Sequence, residues 1–239
     1  MSGRVVIDKR FRGPENSANG GYACALVARS IDGPTEVTLR APPPLGKALR
    51  LERREEGAEL LDGELLIAEA RPTTLNIEVP APVPFEAARR GEARYPWREH
   101  HPYPTCFVCG PQRHAGDGLR IFPGPIDDES MYAAPWTPEH ALADSAGNVE
   151  PEYVWGALDC PSGIVTDLFG QVGLILLGRL AADLRHPVRA GFPHVVQAWP
   201  VRREGRKLHT ASALFSAEGE LCGLASAVWI ELPAQSTPG

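Results

Sequence analysis

The sequence predicts an α+β protein whose plan is laid down twice, each half an antiparallel sheet wrapped around a central helix. Three observations carry this expectation. First, Asp62-Gly63-Glu64-Leu65 with Ile67-Ala68-Glu69-Ala70 returns half a chain later as Glu218-Gly219-Glu220-Leu221 with Leu224-Ala225-Ser226-Ala227, and self-similarity at a fixed spacing marks a duplicated architecture. Each copy reads as a hairpin, with an acidic residue and Gly in the turn and small or apolar residues in the returning strand. Second, Gly21-Tyr22-Ala23-Cys24-Ala25-Leu26 is echoed by Glu152-Tyr153-Val154-Trp155-Gly156-Ala157-Leu158, the same helix twice. Third, that helix carries Ala, Leu and Val on nearly every side, and a helix apolar all round is a buried one. It needs a sheet around it.

Taken in order, the first half reads as a strand over Arg4 to Phe11, a Gly/Asn-rich turn, and a helix over Ala18 to Ser30. Strands follow at Glu36 to Arg40, Ala48 to Arg54, Glu59 to Leu61 and Glu64 to Ala70. From Pro72 to Ile126 prolines recur and Glu86 to Arg98 is highly charged, which reads as an irregular connection. The expected boundaries are residues 1–85 and 127–239 for the two halves, with 86–126 between them. The second half repeats the plan, with a strand at Met131 to Pro135, a helix over Pro151 to Leu168, and strands at Gly173 to Leu184, His194 to Arg202, Lys207 to Ser216 and Leu221 to Leu232. Alternating Val, Ala, Trp and Leu favour strands in the last two. Pro161 is expected to kink the second helix or end it near Cys160.

Composition narrows the setting. With 239 residues, 43% of them hydrophobic and 23% charged, the chain has the makeup of a globular protein with a sizeable core. No apolar run approaches the roughly 20 residues of a membrane span, and the N-terminus lacks the basic start and apolar block of a signal peptide. Five cysteines, an odd number, fit a reducing compartment better than a disulfide framework, so the expected location is the cytoplasm. A net charge of −6 gives no global attraction to nucleic acid. An anionic ligand needs a local basic patch, for which the runs Arg50, Arg53, Arg54 and Arg202, Arg203, Arg206, Lys207 are candidates against plain solvated surface. Gly-x-Ser-x-Gly, P-loop and dinucleotide motifs are missing, and no cofactor is expected.

Two places carry chemistry. In Asn16 to Gly21 the glycines let a ligand approach the backbone, and free N–H groups at a helix start form an anion or oxyanion site. Read from the residues alone, the same turn serves equally as an N-cap. Asp159 is a carboxylate on a mostly apolar helix, costly to bury unless it is paired or at work. Cys106-Phe107-Val108-Cys109-Gly110, flanked by His100, His101 and His114, has the two-residue spacing of a zinc knuckle, but a single pair lacks a standard second pair. These cysteines are read as small apolar residues pinning the connection, and no metal is expected. His194 and His209 read as structural histidines.

A Gly-Gly pair opening a buried helix, followed by an antiparallel meander and then repeated, resembles the double hotdog proteins of the acyl-CoA thioesterase-like superfamily. The likeness spans most of the chain and rests on Gly13-Pro14-Glu15-Asn16-Ser17-Ala18-Asn19-Gly20-Gly21-Tyr22, on Ala157-Leu158-Asp159-Cys160-Pro161-Ser162-Gly163 and on Gly205-Arg206-Lys207-Leu208-His209. It implies two tandem hotdog folds, an acyl-CoA or other acyl thioester bound at their seam, and pairing into a homodimer. Under this resemblance Asn19, Gly20 and Gly21 are the substrate-binding residues that polarise the thioester carbonyl, where one well-placed donor is worth about 3 kcal/mol. Asp159 then activates water. Medium-chain relatives support that Asp with a hydroxyl residue and a Gln, whereas Trp229 stands near the Gln position here and no hydroxyl partner is evident. The resemblance leaves two activities open, hydrolysis and non-catalytic binding of an acyl-CoA or lipid. A hotdog hydratase would want a paired Asp and His on one helix turn, which the sequence lacks.

Overall fold

The computed structural model describes residues 2–233. Within them eleven strands form one antiparallel sheet. They are β1 (Ser2–Val6), β2 (Thr35–Leu39), β3 (Ala48–Arg54), β4 (Gly57–Asp62), β5 (Leu65–Pro72), β6 (Gly124–Pro125), β7 (Tyr132–Trp136), β8 (Ile175–Leu184), β9 (His194–Glu204), β10 (Lys207–Ser216) and β11 (Leu221–Glu231). Their order is β1-β3-β4-β5-β2-β8-β11-β10-β9-β7-β6. Strands from early and late in the chain therefore meet at one ladder, β2 against β8, where Val37 lies opposite Leu180 and Thr35 opposite Ala182. The duplicated turns are hairpins, β4 to β5 through Gly63 (φ 59°) and β10 to β11 through Gly219 (φ 84°), the left-handed backbone that favours glycine.

Two central helices lie on this sheet. α1 (Gly20–Ala28) packs on β2, β4, β5 and β8, while α3 (Pro151–Ile164) packs on β8 to β11, and the two helices pack on each other. In α1 every residue from Ala23 to Ala28 is buried, and in α3 every residue from Val154 to Ile164. Helices sealed on all sides have no amphipathic stripe to show in the sequence.

Several expectations are corrected. The first strand ends at Val6, and Lys9–Phe11 is a 3-10 turn capped by the Asp8 side chain accepting from Arg10 N at 2.7 Å. Pro161 does not end α3, which runs on to Ile164 and into a 3-10 turn over Val165–Phe169. Hydroxyls next to the proline satisfy carbonyls there, with Ser212 Oγ donating to Leu158 O (2.7 Å) and Ser162 Oγ to Asp159 O (2.6 Å). The stretch 86–126, read as irregular, holds most of helix α2 (Phe85–Ala93). Only Ala88 and Gly91 of α2 are buried. A Cβ on Gly91 would stand 2.8 Å from Gly124 O and 2.9 Å from Ala133 O, so α2 sits down on β6 and β7 through its smallest residues. Beyond α2, Phe107, Val108 and Ile121 are fully enclosed in the main core.

Candidate functional site

The site forms where the N-terminus of α1 meets the middle of α3. Asn19 caps α1, its Oδ1 accepting from Tyr22 N at 2.9 Å. Gly20 and Gly21 are the first two helical residues, whose N–H groups have no acceptor within the helix. Across from them α3 presents Asp159, 1% exposed. Its Oδ2 accepts from Gly21 N at 2.8 Å and from Asn19 Nδ2 at 2.9 Å, while its Oδ1 is buried without a hydrogen-bond partner among the described residues. The closeness depends on Gly21, because a Cβ there would stand 2.5 Å from Asp159 Cβ and 2.6 Å from Trp155 O.

Burial pushes the Asp159 carboxyl up to about 7, helped by negative charge on Cys106 and opposed by the Gly21 N–H and the Asn19 amide. A carboxylate at a helix N-terminus normally titrates low. Desolvation outweighs that pull here.

Asp159, Asn19 and Gly20 line a cavity of about 570 Å³ whose walls come from both ends of the sequence, among them Leu39, Pro43, Leu177, Trp229 and Ile230. The walls are mainly apolar. Gly20 faces the cavity and Gly21 is sealed behind it. Trp229 donates from Nε1 to Ser162 Oγ at 3.0 Å, and its ring fills the space over Gly163. The buried Gln197 lies elsewhere: it accepts from Val83 N (2.9 Å) and donates to Pro80 O and Ala81 O (3.3 Å each), tying an extended segment to β9. Four of the seven residues in the basic runs pair with neighbouring carboxylates, Arg50 with Glu52, Arg54 with Glu59, Arg202 with Glu204 and Arg203 with Glu231. His194 is buried with Nδ1 on Phe192 O, and His209 lies beside Glu204.

Next to Asp159 the structure gathers three thiols. Cys106, Cys109 and Cys160 place their sulfurs within 4.8 Å of one another, with Cys106 Sγ 3.7 Å from Cys160 Sγ. All three are buried and free. Asn19 Nδ2 reaches Cys160 Sγ at 3.4 Å, and His101 Nε2 lies 3.3 Å from Cys109 Sγ. His101 Nδ1 accepts from Tyr103 N at 2.8 Å, which leaves the ring proton on Nε2, directed at sulfur. Donation from the Cys109 and Cys160 thiols holds Cys106 well below the ordinary thiol range, and the same sharing pushes its two donors up. Cys160 had no signal in the sequence, because its partners lie about fifty residues upstream on another segment.

No protein-family model and no curated protein matches the sequence. Solved structures do match the fold. The tesB protein of Mycobacterium avium subs paratuberculosis is 12% identical, with 97% of this chain and 93% of that one covered and a TM-score of 0.63. A "putative thioesterase II" from Thermobifida fusca is 13% identical (97% and 92% covered, TM-score 0.62), and a "putative thioesterase" from Novosphingobium aromaticivorans is 9% identical (97% and 96% covered, TM-score 0.64). Along nearly its whole length this chain has the fold of these solved structures, two of which are named as putative thioesterases.

Proposed function

We propose that the chain is two tandem hotdog folds in one polypeptide, with halves at residues 1–85 and 127–239, and that their shared cavity hydrolyses an acyl thioester. Acyl-CoA is the substrate class the sequence resemblance implies. The carrying observation is geometric: Asp159, whose buried Oδ1 has no partner among the described residues, lines an apolar cavity beside a helix N-terminus where Gly20 lines the same space.

In this reading the thioester carbonyl oxygen lies on the Gly20 N–H, which strengthens its hold as charge develops on that oxygen. Asp159 Oδ1 accepts a proton from water as the water oxygen bonds to the carbonyl carbon. The carbon–sulfur bond then breaks and the thiol leaves as thiolate, taking up a proton in solution. Gly21, given to Asp159 Oδ2, and Asn19, which bonds the same oxygen, orient the carboxylate rather than the substrate. The apolar walls take the acyl chain.

A second reading is favoured by one specific observation. Trp229 stands near the position where the resemblance calls for a water-positioning Gln, which fits a protein that binds an acyl-CoA or lipid without cleaving it. Thiol release from a panel of short, long and aryl acyl-CoA esters separates the two. Hydrolysis predicts turnover in the wild type, lost by about 10²-fold or more in Asp159→Ala. Turnover kept in that variant moves the base elsewhere, and binding without release from any ester supports the second reading. The same proposal takes the protein as a cytoplasmic homodimer, and sedimentation of the purified chain checks the pairing.

A further inference from the structure

We infer that Cys106, Cys109 and Cys160 form a binding site for a soft divalent cation, Zn²⁺ by preference, where the 101–121 segment meets α3. Zinc–thiolate bonds of about 2.3 Å in a tetrahedron set sulfurs about 3.8 Å apart. Cys106 and Cys160 stand at 3.7 Å, and all three sulfurs lie within 4.8 Å of one another. The three converge on one point from two separate segments.

The turn that brings the first pair together is built tightly. Gly110 N donates to Cys106 O at 3.0 Å. A Cβ on Gly110 would lie 2.5 Å from both Cys106 N and Pro104 O, so the reversal behind the second cysteine admits only glycine. Backbone bonds hold this turn against the body, from Phe107 N to Arg12 O (2.7 Å), Leu119 N to Phe107 O (2.8 Å) and Ile121 N to Val108 O (2.9 Å). Phe107 also packs edge-on against Phe11, which stacks on Tyr22 of α1. The turn is therefore fixed before any ion arrives.

The surroundings suit thiolates. Asn19 Nδ2 points at Cys160 Sγ and His101 Nε2–H at Cys109 Sγ, the outer hydrogen bonds that orient metal-bound sulfur. Since Tyr103 N holds His101 by its Nδ1, His101 acts as donor to the sulfur and not as a ligand. The three cysteines line the cavity, so the fourth position of the ion opens there and takes water or a ligand sulfur. Three protein ligands with one open position is the form of a reactive zinc site. Backbone N–H groups of Val108 and Cys109 also reach the Cys106 sulfur, so the cluster is ringed by donors that suit thiolates.

The test is elemental analysis of the full chain purified without chelator and then supplied with Zn²⁺. The expected result is close to one zinc per chain, falling several-fold in Cys106→Ser, Cys109→Ser and Cys160→Ser and unchanged in Cys24→Ser. Replacement by Co²⁺ should give thiolate-to-cobalt charge-transfer absorption that is lost in the same three variants. Should a variant fail to fold, alkylation of the wild type mapped by mass spectrometry decides: chelation should open Cys106, Cys109 and Cys160 to the reagent and leave Cys24 unchanged. A wild type that takes up neither ion, or zinc retained in all three variants, overturns the site. Metal content is read whether or not any ester is cleaved, so this inference and the hydrolysis reading fail separately.

Discussion

At the scale of single residues, Asp159 is defined by an asymmetry between its two oxygens. Oδ2 takes both nearby donors, Gly21 N–H and Asn19 Nδ2, while Oδ1 takes none. A buried acceptor without a partner costs on the order of 1–3 kcal/mol, and the fold sustains that cost at one point of the cavity wall. Gly21 permits the arrangement by having no side chain. Its replacement by Ala should press a methyl group into Asp159 and the Trp155 carbonyl and cost about 1–3 kcal/mol, read as a lowered urea midpoint. The helix start at Asn19, Gly20 and Gly21 was legible because an Asn before a Gly pair is strong local punctuation. That Gly21 gives its N–H to a carboxylate 138 residues away was not legible, since no local pattern records a partner so distant. Cys160 was hidden in the same way.

At the scale of elements, what the sequence revealed and what it hid follow from how each element is buried. α1 and α3 were legible as apolar stretches sealed on all sides. α2 was not, because its apolar face is little more than Phe85, Ala88 and Gly91 within a short, highly charged stretch that follows a run of prolines. Pro161 misled for another reason: α3 is held across the proline by packing on α1 and on β8 to β11, long-range contacts that no local pattern records. The 3-10 turn after α3 carries a titration of its own. Burial pushes Asp167 from 3.8 up to about 6, only partly offset by the bond from Trp97 Nε1 at 3.1 Å. The folded chain thus holds this proton more tightly than the unfolded chain. That contribution to stability is complete below the unfolded value and is lost as pH rises through about 6. Asp167→Asn should therefore gain on the wild type in unfolding midpoint between about pH 4 and about pH 7, and a difference that stays constant across that range would contradict the assignment.

At the scale of the whole molecule, the single sheet has a consequence that neither set of strands achieves alone. The hairpins at Gly63 and Gly219 repeat one plan, and the β2–β8 ladder joins the two sets of strands into a single sheet. This brings the start of α1 against the middle of α3, so the N–H donors come from early in the chain and the carboxylate from late in it. The two hairpin turns and the two buried helices were legible in the sequence. The meeting point was not, because register across the seam is set by long-range pairing. The proposed hydrolysis stands on a thioester carbonyl resting on Gly20 beside Asp159. The most direct measurement is a crystal structure of Asp159→Asn, chosen to slow cleavage, with an acyl-CoA bound. The carbonyl oxygen should lie within hydrogen-bond distance of Gly20 N and the acyl chain between Leu177 and Trp229; an ester bound with its carbonyl turned away from α1, or outside this cavity, overturns the proposal.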